Sequence, residues 1–333
     1  MIAVLKPDTT KEQKEHLIEW FKSQNVDVHV SEGKEYTVLG LVGNTANIDV
    51  ELVESLSMVD SVKRVTESFK KSNRQFHPDN TVIKVGDAVF GDGSCVIIAG
   101  PSAIESREQL LAAAKAVKAA GANVLRADAF RKQFSPYEEV DTSADNIQLL
   151  VEAKKETDLP ISTEIVNPDH IARYEDVDII EVGTRNMQNY ELLRELGKLR
   201  KPIMLKRGLS SSLRELLMSA EHIMAGGNEQ VILCERGSRT FETYTKNTLD
   251  ISAVPMLHEL SHLPVITDPG SACGRSSLVE ALSLASAAAG ADGIVIDVYE
   301  DPLKALYNGA QALTPKQLEA VAAKVGKVRA ALQ

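Results

Sequence analysis

The sequence predicts an α/β protein in which a small ferredoxin-like α+β domain precedes a (β/α)8 TIM barrel. Two observations carry this prediction. After Cys95, eight short β-branched runs alternate with amphipathic or Ala-rich helical patterns, and each run ends in polar or charged residues. Before that point the order is strand, helix, strand, strand, helix, strand. We therefore expect a ferredoxin-like regulatory domain at 1–70, a linker at 71–94 and the barrel at 95–333.

The N-terminal elements follow from hydrophobic periodicity. In chain order the runs are IAVLK, KEQKEHLIEWFKSQ, VDVHVS, YTVLGLVG, NIDVELVESLS and VKRVTES. This order is typical of a split βαβ unit, and it contains no catalytic cluster. The polar stretch that follows, with Pro78, predicts the connection to the second domain.

The barrel strands come next. They are CVIIAGP, VLRADAF, PISTEIV, IIEVGTRN, PIMLKRG, VILCERG, PVITDPG and GIVIDVY, and TPKQLEAVAAKVGKVRAAL is the closing helix. Barrel active sites lie at the carboxyl ends of the strands. A doubly wound sheet is the structural alternative, but no GxGxxG follows the first strand and the count of eight favours closure.

Composition restricts the classes of partner. The 333 residues carry a formal net charge of −10, which argues against nucleic acid or an anionic membrane as partner. The three cysteines lack CxxC spacing and predict free thiols in a reducing compartment. No apolar run spans a bilayer and the first residues lack signal-peptide character, so we expect a cytoplasmic protein.

Basic residues recur at the ends of the predicted strands. They are Arg126, Arg185, Lys206, Arg207 and Arg236. Several cations on one barrel rim favour an anionic ligand, and arginine forks suit phosphate. Ordinary surface charge is the alternative reading of any single residue, but the set predicts a small phosphorylated carboxylate as substrate.

These segments resemble 3-deoxy-D-arabino-heptulosonate 7-phosphate (DAHP) synthases, which open the shikimate pathway of aromatic biosynthesis. The likeness rests on IIAGPSAIES, VLRADAFRKQFSPY, VGTRN, LKRG, CERG, TDPGSACGR and IVIDVY, and on the N-terminal module, which is typical of the type I beta subfamily. The resemblance implies that phosphoenolpyruvate is held by Arg126, Arg185, Lys206 and Arg236. It also implies that Glu164 and Lys206 serve the water and enolpyruvate steps.

The sequence departs from the family at the metal site. Family members bind a divalent metal through Cys, His, Glu and Asp, where this chain has Ser102, Ser271, Asp297 and Asn308, and a following His is Tyr299. Hydroxyls and an amide are weak ligands for transition metals, so we expect none to be tightly bound. Metal-free relatives exist among the 3-deoxy-octulosonate 8-phosphate synthases. A weak Mg²⁺ site around Asp297, or recruitment of Cys273, is the alternative.

The acceptor loop departs as well. The family segment KPRTSP, which grips erythrose 4-phosphate, aligns with Arg131, Lys132, Gln133, Phe134 and Ser135, then Pro136. Activation of the aldehyde would then fall to Arg131 or Lys132. These changes favour a divergent enzyme that condenses phosphoenolpyruvate with another acceptor. A functional DAHP synthase and a non-catalytic phosphometabolite-binding regulatory subunit are the alternatives.

Regulation is implied by resemblance alone. Relatives bind an aromatic amino acid at the ferredoxin-like module, and the matching segment here keeps His29 and Ser31. A plain exposed strand end is the alternative reading. The same resemblance implies a homo-oligomer, either a tetramer or a dimer.

Overall fold

The computed structural model describes residues 1–33, 36–45, 48–64, 68–130 and 145–332, which fall into two compact units. Unit 1 comprises Met1–Asn80 together with Glu259–His262, and unit 2 comprises Thr81–His258 and Leu263–Gln333. Among the described residues, no helix combines the length and apolar character needed to cross a membrane.

Unit 1 is a four-stranded antiparallel sheet carrying two helices. Its elements are β1 (Ile2–Leu5), α1 (Lys11–Ser23), β2 (Asp27–Glu32), β3 (Thr37–Val42), α2 (Val50–Glu54) and β4 (Val59–Lys63). The sheet order is β2-β3-β1-β4. The predicted ferredoxin-like domain is confirmed.

Local chemistry sets the element ends in unit 1. Helix α1 begins after Thr10, whose hydroxyl and the Gln13 side chain form a capping box. Helix α2 begins later than its hydrophobic pattern predicts, because the Asp49 carboxylate accepts from the amides of Glu51 and Leu52 and fixes the start there. Strand β4 begins at Val59, before the expected Val62, and both side chains are buried.

Unit 2 is a closed eight-stranded parallel barrel, as predicted. Its strands are β7 (Val96–Gly100), β8 (Val124–Arg126), β9 (Ile161–Ile165), β10 (Ile179–Val182), β11 (Ile203–Lys206), β12 (Val231–Glu235), β13 (Val265–Thr267) and β14 (Gly293–Asp297). Strand β14 pairs with β7 and closes the barrel. The surrounding α-helices are α3 (Arg107–Ala119), α4 (Asp145–Thr157), α5 (Tyr190–Gly197), α6 (Leu213–Ala225), α7 (Ala253–Leu260), α8 (Pro269–Cys273), α9 (Ser276–Ala288) and α10 (Pro315–Ala330).

A hairpin precedes the barrel, formed by β5 (Ile83–Val85) and β6 (Ala88–Phe90), within the stretch predicted as a linker. Ile83 and Phe90 are buried in one apolar cluster with barrel side chains such as Ile98 and Met204. The hairpin thus packs on the barrel core, and active sites of such barrels lie at the carboxyl ends of the strands.

The carboxyl end of the barrel collects charge. Arg126, Glu181, Lys206, Glu235 and Asp297 are the last or next-to-last residues of their strands, and all five are buried. Strands β7 and β8 approach closely there, since a Cβ on Gly100 would lie 2.1 Å from the Arg126 carbonyl oxygen. Parallel strands thus bring side chains distant in sequence onto one rim.

Candidate active site

A cavity of about 130 Å³ opens at the carboxyl ends of the strands in unit 2. Its charged lining residues are Arg126, Asp128, Lys206, Arg236, Lys246 and Asp268. Ser102, Ser271, Tyr307 and Asn308 supply polar atoms, and Phe130 supplies an apolar wall. Among the described residues the lining thus has four cations and two carboxylates, which suits a small anionic ligand.

Arg126 is surrounded by carboxylates. Its Nη1 donates to Asp297 Oδ1 at 2.8 Å, and its Nη2 lies 3.1 Å from both carboxylate oxygens of Asp128. Its Nε is 3.6 Å from Glu181 Oε1. Burial alone would lower the pKa of Arg126, but these carboxylates raise it well above its ordinary value, so the guanidinium is permanently charged.

Lys206 forms the second buried centre of charge. Its Nζ lies 2.8 Å from Glu181 Oε2 and 3.6 Å from Asp268 Oδ2. Burial opposes the charged form, but the attraction of Glu181 dominates and raises the pKa of Lys206 above its ordinary value. Lys206 in turn affects Glu181. Burial opposes the ionisation of Glu181, yet Lys206 and Arg126 lower its pKa to about 2. Lys206 is therefore an ammonium group near neutral pH.

Of the three other cations predicted for this rim, one lines the cavity and two do not. Arg236 lines the cavity, whereas Arg185 is exposed in a short 3-10 helix and is not among the lining residues. Arg207 is bound elsewhere, because its Nη1 donates to Glu235 Oε2 at 2.9 Å and to Asp250 Oδ2 at 3.1 Å.

Glu164 is buried on β9, next to the cavity wall and not on it. A Cβ on Gly183 would lie 2.1 Å from Glu164 Oε1, so the carboxylate packs directly against the backbone where β10 ends. The hydroxyl of Tyr174 donates to the Glu164 carbonyl oxygen at 2.7 Å and fixes the strand end. Glycine at position 183 is thus a condition for the present position of Glu164.

Asp297 and Ser102, two of the four positions at which the sequence departs from the family's metal ligands, have side chains bound to other groups of the protein. Asp297 Oδ2 accepts from Gln311 Nε2 at 2.6 Å, while its Oδ1 accepts from Arg126. Ser102 Oγ lies 3.0 Å from the Tyr299 hydroxyl and donates to the Tyr307 carbonyl oxygen at 3.1 Å. Burial raises the pKa of Tyr299 to about 12, so this phenol stays protonated near neutrality.

The other two positions, Ser271 and Asn308, carry a hydroxyl and an amide, which are weak ligands for transition metals. The main chain of Ser271 is held by Asp268 and Asn247, and Asn308 adopts a left-handed conformation with φ 55°. The Cys273 thiol donates to the Arg275 carbonyl oxygen at 3.2 Å, and Cys273 does not line the cavity. Within the ranges that the structure describes, no three His, Cys, Asp or Glu side chains group as a metal site. The described residues therefore do not fit a tightly bound transition metal.

Four contributors were missed by sequence reasoning. Glu181 and Asp268 neutralise Lys206, Asp128 pairs with Arg126, and Lys246 adds a cation. A signal existed for Glu181, because a single acidic residue inside the apolar run IIEV is buried and needs a partner. Lys246 had no such signal, since its segment is held at the cavity by bonds from Lys246 and Asn247 to α8, which spacing along the chain does not indicate.

Two groups of predicted residues cannot be placed in this site. Arg131, Lys132, Gln133, Phe134 and Ser135 lie outside the described residues. His29 and Ser31 lie in unit 1, two residues apart on β2, opposite Gly40 and Val38 of β3. Ser31 is buried and His29 half-buried, and their binding of an effector stays a prediction.

The chain matches two family models that together cover nearly all of it. Residues 69–333 match the DAHP synthetase I family, and residues 1–67 match the DAHP synthase ferredoxin-like domain. The phospho-2-dehydro-3-deoxyheptonate aldolase of Thermotoga maritima is 43% identical over 314 residues, which cover 94% of this chain and 93% of that protein. The 2-dehydro-3-deoxyphosphooctonate aldolase of Syntrophobacter fumaroxidans is 26% identical over 254 residues, covering 71% of this chain and 87% of that protein.

A solved structure agrees with the sequence comparison. The crystal structure of the DAHP synthase of Thermotoga maritima superposes with a TM-score of 0.79 at 41% identity, covering 99% of this chain and 97% of that one. Family model, relative and structure all extend over the barrel and the N-terminal module. The chain belongs to the DAHP synthetase I family.

Proposed function

We propose that this protein catalyses the DAHP synthase reaction, the condensation of phosphoenolpyruvate with erythrose 4-phosphate. The observation that carries the proposal is the 43% identity, over nearly the full length of both chains, to a phospho-2-dehydro-3-deoxyheptonate aldolase. The cation-lined cavity at the carboxyl end of the barrel supports it, because a phosphate ester with a carboxylate needs several positive partners.

Within this proposal each described residue has a role fixed by its surroundings. Lys206 is held as an ammonium by Glu181 and supplies positive charge to the carboxylate of phosphoenolpyruvate. Arg236 and Lys246 line the cavity and bind the phosphate. Glu164, held against Gly183, orients the water that adds to C2 after C3 has attacked the aldehyde carbon. Phosphate then leaves from C2.

We further propose that the reaction proceeds without a tightly bound transition metal. Asp297 would have to release both Arg126 and Gln311 before it offered its oxygens to a cation, and Ser102 would have to leave Tyr299 and Tyr307. A weak Mg²⁺ site around Asp297 would also require this carboxylate to leave Arg126 and Gln311. Polarisation of the aldehyde then falls to side chains of the protein, and Arg131 or Lys132 are the proposed groups.

The second candidate is a divergent enzyme that joins phosphoenolpyruvate to a different acceptor. It is favoured because Ser102, Ser271, Asp297 and Asn308 differ from the family's metal ligands. Within the described part of the chain, no three His, Cys, Asp or Glu side chains group as a metal site. A non-catalytic subunit that binds a phosphometabolite is the remaining alternative. The aromatic amino acid effector and the homo-oligomer stay predictions in all three cases.

The test is to incubate the purified protein with both substrates and identify the product by mass spectrometry. We expect DAHP together with one phosphate per phosphoenolpyruvate consumed, and loss of both with the matched Lys206→Met variant, which keeps the chain length without the charge. Consumption of phosphoenolpyruvate only with another aldose would favour the second candidate. No consumption with any aldose would contradict both enzymatic readings.

A further inference from the structure

Asp128 brings a carboxylate into a cavity otherwise suited to anions. It lies two residues beyond the end of β8, it lines the cavity, and its side chain is 11% exposed. Both of its oxygens lie 3.1 Å from Nη2 of Arg126. Both oxygens thus share one nitrogen of the guanidinium, a donor that a phosphate oxygen would also use.

The position of Asp128 is fixed by its neighbours in the chain. The Ala129 amide donates to Thr163 Oγ1 at 2.9 Å, and Asn146 Nδ2 donates to the Ala129 carbonyl oxygen at 3.1 Å. The Phe130 ring stacks on His170 with centroids 4.7 Å apart. Because the backbone after Asp128 is held by Thr163 of β9 and by Asn146 of α4, the fold places the Asp128 carboxylate within reach of Arg126.

The charges buried around Arg126 also oppose the binding of an anion there. Arg126 and Lys206 are two buried cations, and they face the carboxylates Asp128, Glu181, Asp268 and Asp297. Counted over the residues that the structure describes, the cluster carries more negative than positive charge before Arg236 and Lys246 are included. A dianionic phosphate that approached Arg126 would meet Asp128 on the same guanidinium edge.

We infer that Asp128 is a specificity-determining residue, an internal anion that competes with the phosphate of an incoming ligand for Arg126. Phosphate monoesters bind mainly through Arg236 and Lys246, and they gain Arg126 only when Asp128 is displaced. The identification of phosphoenolpyruvate as that ligand rests on the proposed function. The competition itself rests on the Arg126–Asp128 pair.

The test measures binding of inorganic phosphate and of phosphoenolpyruvate to the full chain by calorimetry, at one fixed ionic strength because screening changes the affinities of charged ligands. The Asp128→Asn variant removes the competing charge and keeps the shape. Asp128→Glu keeps the charge. Asp87→Asn makes the same chemical change in the turn of the β5–β6 hairpin, away from the cavity.

We expect Asp128→Asn to bind both ligands at least roughly tenfold more tightly than wild type, a change of about 1.4 kcal/mol. Asp128→Glu and Asp87→Asn should stay within about twofold. Asp128→Ala should show the same gain as Asp128→Asn, and it provides a second neutral variant whose folding is checked independently by circular dichroism.

Equal affinity of Asp128→Asn and wild type would overturn the inference, as would a gain shared by Asp128→Glu or the absence of phosphate binding in every variant. The proposed function fails separately. Tighter binding in the neutral variants with no DAHP from wild type would support the role of Asp128 and contradict the synthase reaction. DAHP formation with unchanged affinities would do the reverse.

Discussion

Glu181 holds together the two buried cations of the site, so its neutralisation is the most informative perturbation of the barrel. The carboxylate is fully buried, lies 2.8 Å from Lys206 Nζ and 3.6 Å from Arg126 Nε, and accepts from Ser162 Oγ at 2.7 Å. Glu181→Gln preserves the volume and an acceptor for Ser162 but removes the charge. Breaking a buried pair in this way costs about 3–5 kcal/mol, because the remaining charges lose their compensation.

Neutralising Glu181 should also change how stability depends on pH. Although burial opposes the ionisation of Glu181, Lys206 and Arg126 lower its pKa from 4.5 to about 2, and this attraction stabilises the folded state. Because the folded pKa is the lower one, this stabilisation is complete above pH 4.5 and is lost as the pH falls through about 2. The Glu181→Gln variant should lack this part of the acid dependence.

The assay is urea unfolding followed by far-ultraviolet circular dichroism at pH 7 and at pH 3. Glu229→Gln serves as the matched control, because Glu229 is exposed just before β12, at the opposite end of the barrel, and should change stability by about 0.5 kcal/mol at most. A Glu181→Gln variant within about 1 kcal/mol of wild type at pH 7 would refute the view that Glu181 compensates buried charge.

Three further predictions concern a glycine, a hydrogen bond and a histidine. Gly183→Ala places a Cβ against the Glu164 carboxylate, and we expect DAHP turnover to fall roughly 100-fold as that group is displaced. Tyr299→Phe removes the 3.0 Å bond to Ser102 and should lower the free energy of unfolding by about 1 kcal/mol in urea titrations. Burial lowers the pKa of His262 from 6.5 to about 3. As the pH falls from 6.5 to 3, the free energy of unfolding should therefore decrease by up to about 1.4 kcal/mol per pH unit. His262→Asn should flatten that slope in urea titrations followed by the fluorescence of Trp20, in the same unit.

Each of these predictions has its own control. Gly326→Ala adds a Cβ with no atom within 4 Å, in helix α10, and should keep turnover while stabilising the helix by roughly 0.5–1 kcal/mol. Turnover unchanged in Gly183→Ala would contradict the role given to Glu164. Tyr190→Phe, at a half-exposed tyrosine, controls for the loss of a hydroxyl. An unaltered pH slope in His262→Asn would show that another group controls the acid response of unit 1.

The fold was predictable because its signals are local. Eight β-branched runs and the strand–helix order of the first 70 residues specify both units, and the structure confirms them. The hairpin β5–β6 was missed, because its strands are three residues each and lie in a polar stretch that resembles a connection. The start of β4 was also placed wrongly, at Val62, since pairing with β1 decides which valine begins the strand.

The site was predictable only in part. Residues at strand ends, such as Arg126 and Lys206, could be assigned to one rim, because parallel strands of a barrel present their carboxyl ends together. Their partners could not be assigned from spacing, since Asp297 and Arg126 are 171 residues apart in sequence and meet only through barrel closure. That Arg126 holds phosphoenolpyruvate stays a prediction, and it did not consider Asp128, two residues away, whose carboxylate contacts the same guanidinium.

The measurement that tests the central claim most directly is DAHP formation from phosphoenolpyruvate and erythrose 4-phosphate, once with excess chelator and once with added Mn²⁺. The hydrogen bonds and ion pairs that occupy Ser102 and Asp297 predict equal turnover under both conditions. Turnover that is abolished by the chelator and restored by Mn²⁺ would contradict the account.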